Sequence, residues 1–223
     1  MLATANLGVY DVRVSTNMQA ADGEPGGASG ARRPSRREEI LDAVAPLFAR
    51  HGFHGVSIED LGGAAGMSGP ALYRHFPSKE QMLAQMLLRI SERLLDEGSR
   101  RVSSAADASS ALDALLRWHI EFSLEHPALI TVHDSELGNV PAAERRRVRR
   151  LQRRYVEEWV TVLSELLPEV SQQRLRAATH AMFGLLNSTP HSAGELDSHA
   201  MADLLYRMAR AALLSPRAAP NTA

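Results

Sequence analysis

The sequence contains no cysteine, which excludes disulfide bonds and thiolate chemistry. This absence suits a protein that folds in a reducing compartment, and we expect a cytoplasmic protein. No apolar run approaches the roughly 18–20 residues of a membrane-spanning helix, so we expect no membrane partner. The formal net charge is only −1, so the overall charge does not point to a polyanionic partner.

Strict alternation of apolar and polar residues, the pattern of a half-buried β-strand, is also nearly missing. Apolar residues recur instead at spacings of three and four along most of the chain. This pattern predicts an all-α fold of about nine helices. The length of 223 residues suits one large helical domain or a small domain followed by a medium one.

Breaks in the apolar pattern divide the chain into segments. We expect residues 1–34 to form a flexible tail, within which Met18 is an alternative start, and residues 216–223 to form a loose end. Between these ends the pattern predicts a small N-terminal domain at 35–80 and a larger C-terminal domain at 105–215.

Capping and breaking residues outline the helices of the N-terminal domain. Ser57 and Ser68 are placed to cap its second and third helices, and Gly66 interrupts the chain between them. Ser78 is placed to cap a fourth helix, 78–98, which we expect to link the two domains.

The segment Ile58–His75 meets the physical requirements of a helix-turn-helix. Two short helices that cross steeply need a small residue at the crossing and a glycine in the turn. Gly62 and Gly66 fill these two positions. The apolar residues that would lock the pair are Leu61, Ala65, Met67 and Leu72. The third helix is then left with a compact polar tip that fits the major groove of DNA.

Residues 36–90 resemble the DNA-binding domain of the TetR/AcrR family of bacterial repressors. Three segments with the family's order and spacing carry the resemblance: Gly52–Leu61, Ala65–Ser68 and Leu72–Glu80. The resemblance implies a three-helix DNA-binding head and a helical C-terminal domain. It also implies a transcriptional regulator, usually a repressor, that binds operator DNA, dimerises and responds to a small-molecule effector.

The family's DNA contacts carry over only to the positions that match its motif. The residues implied to face bases are Gly69, Pro70, Ala71 and Arg74. The residues implied to bind phosphate are Ser57, Ser68, Tyr73, His75 and Lys79. Arg74 alone among them has a fork that suits a guanine edge. The alternatives are that Tyr73 packs half-buried against the head and that Lys79, the only lysine, is a solvated charge.

The head carries little net positive charge. Residues 31–80 hold seven Arg and Lys against six Asp and Glu, a balance of +1, so DNA binding would depend on individually placed charges. The arginines of Arg32–Arg37 are candidates for the adjacent backbone or minor groove, or are simply solvated. The pair Gly62-Gly63 costs the second helix roughly 1 kcal/mol per glycine relative to alanine, and only the first is explained by a helix crossing.

The resemblance implies that the last two long helices form a dimer bundle. We expect a homodimer through helices near 171–190 and 197–214, each of which carries an apolar stripe. The stripes are Leu175, Ala178, Thr179, Met182, Leu185 and Leu186 on one helix, and Met201, Leu204, Leu205, Met208, Ala212 and Leu213 on the other. The alternative is that both stripes face only the core of their own chain.

The implied effector cavity would lie between three helices of the C-terminal domain. Candidate lining residues are Trp118, His119, Phe122, Tyr155, Trp159, His180, Phe183 and Asn187. Aromatic residues at helical spacing are also ordinary core residues. His119, Tyr155 and Asn187 are favoured because a polar tip on an apolar face needs a partner.

Seven arginines fall within the ten residues of Arg145–Arg154. One interpretation is a solvated helix surface. The other is capture of a phosphate-bearing ligand at the cavity mouth, because some members of the family bind acyl-coenzyme A thioesters.

Other classes of protein lack support in the sequence. The nine histidines are scattered, and His51 and His54 have no third ligand beside them, so we expect no metal site. The stretch Gly66–Pro70 resembles a nucleophile elbow but lacks its final glycine and a preceding strand. We therefore expect no enzyme and no cofactor. A helical interaction module, or a membrane-surface helix at 141–167 on a protein that has lost DNA binding, remains the alternative.

Overall fold

The computed structural model describes residues 34–191, 194 and 196–215. The predicted tails, apart from residue 34, lie outside the described residues, as does Met18. The described chain forms nine α-helices, which confirms the all-α prediction. They are α1 Arg36–His51, α2 Ile58–Ala64, α3 Gly69–Leu72, α4 Lys79–Ser103, α5 Ala108–Glu125, α6 Pro127–Ser135, α7 Ala142–Leu166, α8 Gln172–Leu186 and α9 Ser198–Leu214. Short 3₁₀ turns follow α6 at Leu137–Asn139 and α8 at Thr189–His191.

Helices α1 and α2 begin where side chains satisfy their first backbone N–H groups. The Ser35 Oγ accepts from Glu38 N at 3.3 Å, and the Glu38 carboxylate accepts from Ser35 N at 2.6 Å. Ser57 and Asp60 make the same reciprocal pair at the start of α2, with distances of 3.1 and 3.0 Å. Such capping boxes remove the unpaired donors that otherwise fray a helix end.

The crossing of α2 and α3 requires glycine. A Cβ added at Gly62 would lie 2.8 Å from both Gly69 N and Met67 O, so the two helices can approach only because Gly62 has no side chain. Gly66 turns the chain with φ of +67°, a conformation that favours glycine. Leu61 and Leu72 are buried at the contact and lock the pair.

The linking helix α4 is longer than predicted. It runs through Gly98 to Ser103 instead of ending near Gly98. A Cβ at Gly98 would lie 2.7 Å from Tyr155 Cε2, so this glycine lets α7 pack closely against α4 rather than ending the helix. Helix α4 packs against α5, α6 and α7 and forms one wall of the C-terminal core.

The stripes of α8 and α9 divide into an inner and an outer row. The inner rows are buried in the protein's own core: Leu175, Thr179, Met182 and Leu186 on α8, and Met201, Leu205 and Leu213 on α9. Ala209, which the predicted stripe did not include, is buried with them, whereas Ala212 of that stripe is exposed. On α9, Leu204 and Met208 remain 38% and 47% exposed. Among the described helices none combines the length and the apolar character that crossing a bilayer requires.

Candidate functional site

The tip of α3 points away from the core of the head. Tyr73 is 51% exposed, Pro70 and Arg74 are exposed, and Ala71 and His75 are half-buried. Four residues are too few to form a stable helix alone, so α3 depends on its packed crossing with α2 to stay in place. The tip therefore presents polar and apolar groups to a partner from a rigid base.

One position implied to face bases, Gly69, differs from the expectation, and the two serines implied to bind phosphate differ from each other in their hydrogen bonds. Gly69 is buried, and a Cβ there would lie 3.0 Å from Ile58 Cγ2, so Gly69 faces α2 instead of an external partner. The expectation that Gly69 faces bases is therefore corrected. Ser68 has N-cap backbone geometry, but its side chain makes no capping hydrogen bond. The Ser57 hydroxyl donates to the Asp60 carboxylate at 2.7 Å, which lowers the Asp60 pKa.

Lys79 holds the loop between α1 and α2. Its Nζ donates to the carbonyl oxygens of Phe53 and Val56, each at 2.8 Å, and lies 4.4 Å from the centre of the Phe53 ring. Two of its three N–H bonds are thus used within the head, so a phosphate contact by Lys79 remains a prediction for the third.

The arginines at the start of α1 also bond within the head. Arg36 donates to the Ala65 carbonyl at 3.1 Å, which ties α1 to the end of α2. The Arg37 guanidinium lies 5.9 Å from the centre of the Phe76 ring. These contacts favour a structural role over the predicted reach towards DNA. Arg32 and Arg33 lie outside the described residues.

A cavity of about 260 Å³ lies among the C-terminal helices. Its lining residues are Ser91, Leu94, His119, Ile130, His133, Asp134, Gln152, Tyr155, Val156, His180, Phe183 and Asn187. Five of the eight candidates are among them, including the three favoured for their polar tips. The sequence did not lead us to expect that α4 and α6 also line the cavity. For α6, the signal would have been the polar pair His133 and Asp134 in an otherwise apolar short helix.

Three of the aromatic candidates are core residues instead. Trp159 and Phe122 are fully buried and do not line the cavity. Trp118 turns to the face of α5 that meets α4, where the guanidinium groups of Arg93 and Arg101 lie 5.5 and 5.2 Å from its ring. Trp118 and Phe122 are four residues apart and share this face, whereas His119 lies on the neighbouring face.

A chain of hydrogen bonds crosses the cavity wall. The Asn187 amide Nδ2 donates to the two carboxylate oxygens of Asp134 at 3.3 and 3.2 Å. This orients Asn187 Oδ1 towards His119 Nε2, 3.1 Å away, so Nε2 carries the imidazole proton. His119 Nδ1 is therefore an acceptor, and it receives the Tyr155 hydroxyl at 3.2 Å.

Burial keeps the His119 and Tyr155 members of this chain uncharged. Desolvation lowers the pKa of His119 to about 4, and the hydrogen bond to Asn187 opposes this shift only partly. Desolvation also raises the pKa of the Tyr155 phenol. The indole of Trp159, whose ring lies edge-to-face with that of Tyr155, partly opposes the rise in the Tyr155 pKa, although Trp159 Nε1 forms no hydrogen bond with the described residues.

The arginines of Arg145–Arg154 do not line the cavity. Arg145 donates to the Gly138 carbonyl at 3.3 Å, and Arg147 pairs with Glu92 at 2.6 Å. The others lie on the exposed side of α7, opposite its buried residues, which favours a solvated surface. The membrane-surface alternative loses its aromatic anchor because Trp159 is fully buried.

The chain matches two models of known families. Residues 40–86 match the bacterial regulatory proteins of the tetR family, and residues 105–213 match the tetracyclin repressor-like C-terminal domain. The chain belongs to the TetR family of bacterial transcriptional regulators.

Two similar proteins are both called HTH-type transcriptional repressor KstR2. The one from Rhodococcus jostii (strain RHA1) is 30% identical over 59% of this chain and 65% of that protein. The one from Mycobacterium tuberculosis (strain CDC 1551 / Oshkosh) is 30% identical over 60% of this chain and 68% of that protein. The matched segment thus spans about two thirds of these relatives.

Solved structures share the fold. A TetR-family transcriptional regulator from Bordetella parapertussis 12822 has a TM-score of 0.71 at 23% identity, with 82% of this chain and 98% of that chain covered. AibR in complex with isovaleryl coenzyme A and operator DNA has a TM-score of 0.65 at 21% identity, with 78% of this chain and 97% of that chain covered.

Proposed function

We propose that this protein is a sequence-specific DNA-binding regulator, and specifically a repressor that a small molecule releases from its operator. The observation that carries the proposal is the exposed tip of α3 on a locked helix-turn-helix, combined with a separate cavity among the C-terminal helices. A tip without a cavity would suit a constitutive DNA-binding protein. The cavity supplies a place for a regulating ligand.

Arg74 is assigned the main role in base recognition. It is exposed, and no ion pair within the described chain engages it. Its guanidinium can donate two parallel hydrogen bonds to a guanine edge, whereas Pro70 and Ala71 offer apolar contacts that suit a thymine methyl group. Tyr73, the Ser68 hydroxyl and the third N–H of Lys79 are assigned to phosphate oxygens, which fix the register of the head.

The proposal requires two heads, because a helix-turn-helix dimer reads half-sites about one DNA turn apart, roughly 34–36 Å. The outer row of α9, with Leu204 and Met208, is assigned to a second copy of this chain. Replacing both residues with glutamate should convert the dimer to a monomer in sedimentation velocity at micromolar concentration. A dimer that persists would contradict this interface.

Two helices connect the cavity with the head. Helix α4 contributes Ser91 and Leu94 to the cavity and begins directly after the head. Helix α6 contributes Ile130 and packs on α1, and the turn after it places Asn139 Oδ1 3.1 Å from His54 Nε2. Ligand in the cavity would favour arrangements of α4 and α6 that set the heads at the wrong spacing.

In vitro selection from a random duplex pool tests the proposal and identifies the operator sequence in the same experiment. The full chain should enrich a two-fold symmetric sequence with half-sites about one turn apart. The Arg74→Ala variant should enrich a different or weaker consensus, and Arg149→Ala, which changes an exposed arginine on α7 of the C-terminal domain, should enrich the wild-type one. Failure of the wild-type chain to enrich any sequence would contradict the proposal.

A further inference from the structure

The chemistry of the cavity wall restricts what can occupy it. Among the lining residues, all of which lie in the described part of the chain, none is Arg or Lys, and Asp134 is the one carboxylate. The Asp134 side chain is 51% exposed, so this charge lies at the rim. An anionic ligand would meet a negative charge on entry and no fixed positive charge inside.

The two hydroxyl groups of the wall have their protons directed into the protein. Tyr155 donates to His119 Nδ1, because Asn187 fixes the proton of His119 on Nε2. Ser91 Oγ lies 2.8 Å from the Leu87 carbonyl oxygen and 3.2 Å from His133 Nε2. His133 Nε2 accepts from Gln152 Nε2, so both neighbours of Ser91 are acceptors and its proton is used within the protein. Each hydroxyl oxygen therefore has a lone pair, but no proton, left for a ligand.

The rest of the wall supplies a small apolar space. Leu94, Ile130, Val156 and Phe183 contribute its apolar surface. The volume of about 260 Å³ lies just below the range of about 300–1,000 Å³ that is usual for drug-sized ligands. A body of one or two rings suits this space, whereas a whole coenzyme A thioester exceeds it.

We propose that the effector is a small, largely apolar molecule that carries a hydroxyl or amine hydrogen-bond donor and no negative charge. Its donor binds Tyr155 Oη, and its apolar body contacts Phe183 and Val156. This inference rests on the proposed function in so far as it calls the ligand an effector. The predicted binding chemistry depends only on the cavity.

Four probes with one two-ring body test the inference by calorimetry with the full chain at pH 8, above the range in which histidines usually titrate. 2-Naphthol and 2-naphthylmethylammonium carry a donor, 2-methoxynaphthalene lacks one, and 2-naphthoate is an anion. We expect both donor probes to bind about tenfold more tightly than the other two. The inference is overturned if 2-naphthoate or isovaleryl coenzyme A binds as tightly as 2-naphthol, or if neither donor probe binds at millimolar concentration.

Substitutions locate the contact. Tyr155→Phe should lower 2-naphthol affinity to that of 2-methoxynaphthalene and leave the latter unchanged, and Tyr206→Phe, a tyrosine of α9 away from the cavity, should change neither. Asp134→Asn, at the half-exposed rim, should raise 2-naphthoate affinity several-fold. This second variant tests the inference even if Tyr155→Phe proves too unstable to measure. Unchanged selectivity in both folded variants overturns the inference.

The inference and the proposed function fail in different ways. Calorimetry without DNA measures the cavity alone, whereas fluorescence anisotropy with the selected operator measures release. Binding of 2-naphthol without release of DNA would refute ligand control and support the cavity assignment. Release by 2-naphthoate but not by 2-naphthol would refute the cavity assignment and support ligand control.

Discussion

The head and the cavity use their polar side chains in opposite ways. At the tip of α3, Tyr73 and Arg74 are exposed, and their polar atoms are available to a partner. In the cavity, Tyr155, His119 and Asn187 bond one another, and the chain ends at Asp134. The difference follows from solvent access, because water can satisfy an exposed donor until DNA replaces it, whereas a buried donor needs a partner within the protein. The head is thus built around a backbone crossing, and the cavity around a side-chain network.

The backbone crossing gives the largest expected effect. Gly62→Ala should destabilise the protein by about 3 kcal/mol, because the new Cβ would meet backbone atoms of Gly69 and Met67 at 2.8 Å. Gly63→Ala is the matched control, since a Cβ there meets nothing within 4 Å, and it should stabilise by about 0.5–1 kcal/mol. Urea unfolding followed by circular dichroism measures both. Equal effects of the two substitutions would contradict the assignment of the crossing to Gly62.

The exposed tip gives the next effect. Arg74→Ala should weaken binding to the selected operator by about 2 kcal/mol, roughly thirtyfold, and leave binding to random duplex nearly unchanged. Anisotropy titrations with both duplexes measure the difference. A uniform loss on both duplexes would instead assign Arg74 to phosphate.

The buried network makes stability depend on pH. The folded pKa of His119 is about 4, below its ordinary value of 6.5, so the unfolded chain binds more protons between these values and stability falls as pH falls through this window. Between pH 7 and 5 the loss should be roughly 2 kcal/mol. Urea unfolding at both pH values should show a smaller loss in His119→Gln than in the wild type. His199→Gln, at an exposed histidine, should retain the wild-type loss; a reduction of the same size there would refute the assignment.

Lys79 has two separable roles, a structural one within the head and a predicted contact with phosphate. Lys79→Met keeps most of the apolar stem but loses the bonds to Phe53 and Val56, and it should destabilise the protein by about 1–1.5 kcal/mol. If the third N–H also contacts phosphate, the slope of log affinity against log salt should fall by about 0.9. Measuring stability and salt slope together separates the two roles, and an unchanged stability would contradict the structural one.

The head was predictable from the sequence because its signals are local. The capping residues Ser57 and Ser78, and the glycines of the crossing and the turn, act within a few residues of their own positions. The role of Gly69 was missed because its burial depends on Ile58, across the crossing. The exposed Gly63 has no contact in the structure that explains it.

The cavity was predictable only in part because it depends on tertiary packing. His119, Tyr155 and Asn187 stood out as polar tips on apolar faces, but which aromatic residues face inwards depends on the rotation of each helix. Gly98 shows the same limit, since a glycine that locally favours a helix end is here a point of close approach to Tyr155. The residues that α4 and α6 contribute to the cavity include no Phe, Tyr or Trp, so the search for aromatic residues did not find them.

The two tryptophans of the chain both lie in the C-terminal helices. Trp159 is fully buried, and its ring centre lies 5.5 Å from that of Phe183, a residue of the cavity wall. Indole emission from an unlabelled sample should therefore report on occupancy of the cavity, with no contribution from a tryptophan in the head. A dye on the DNA would report on DNA binding by the head in the same sample, so ligand binding and DNA binding can be followed by two separate fluorescence signals.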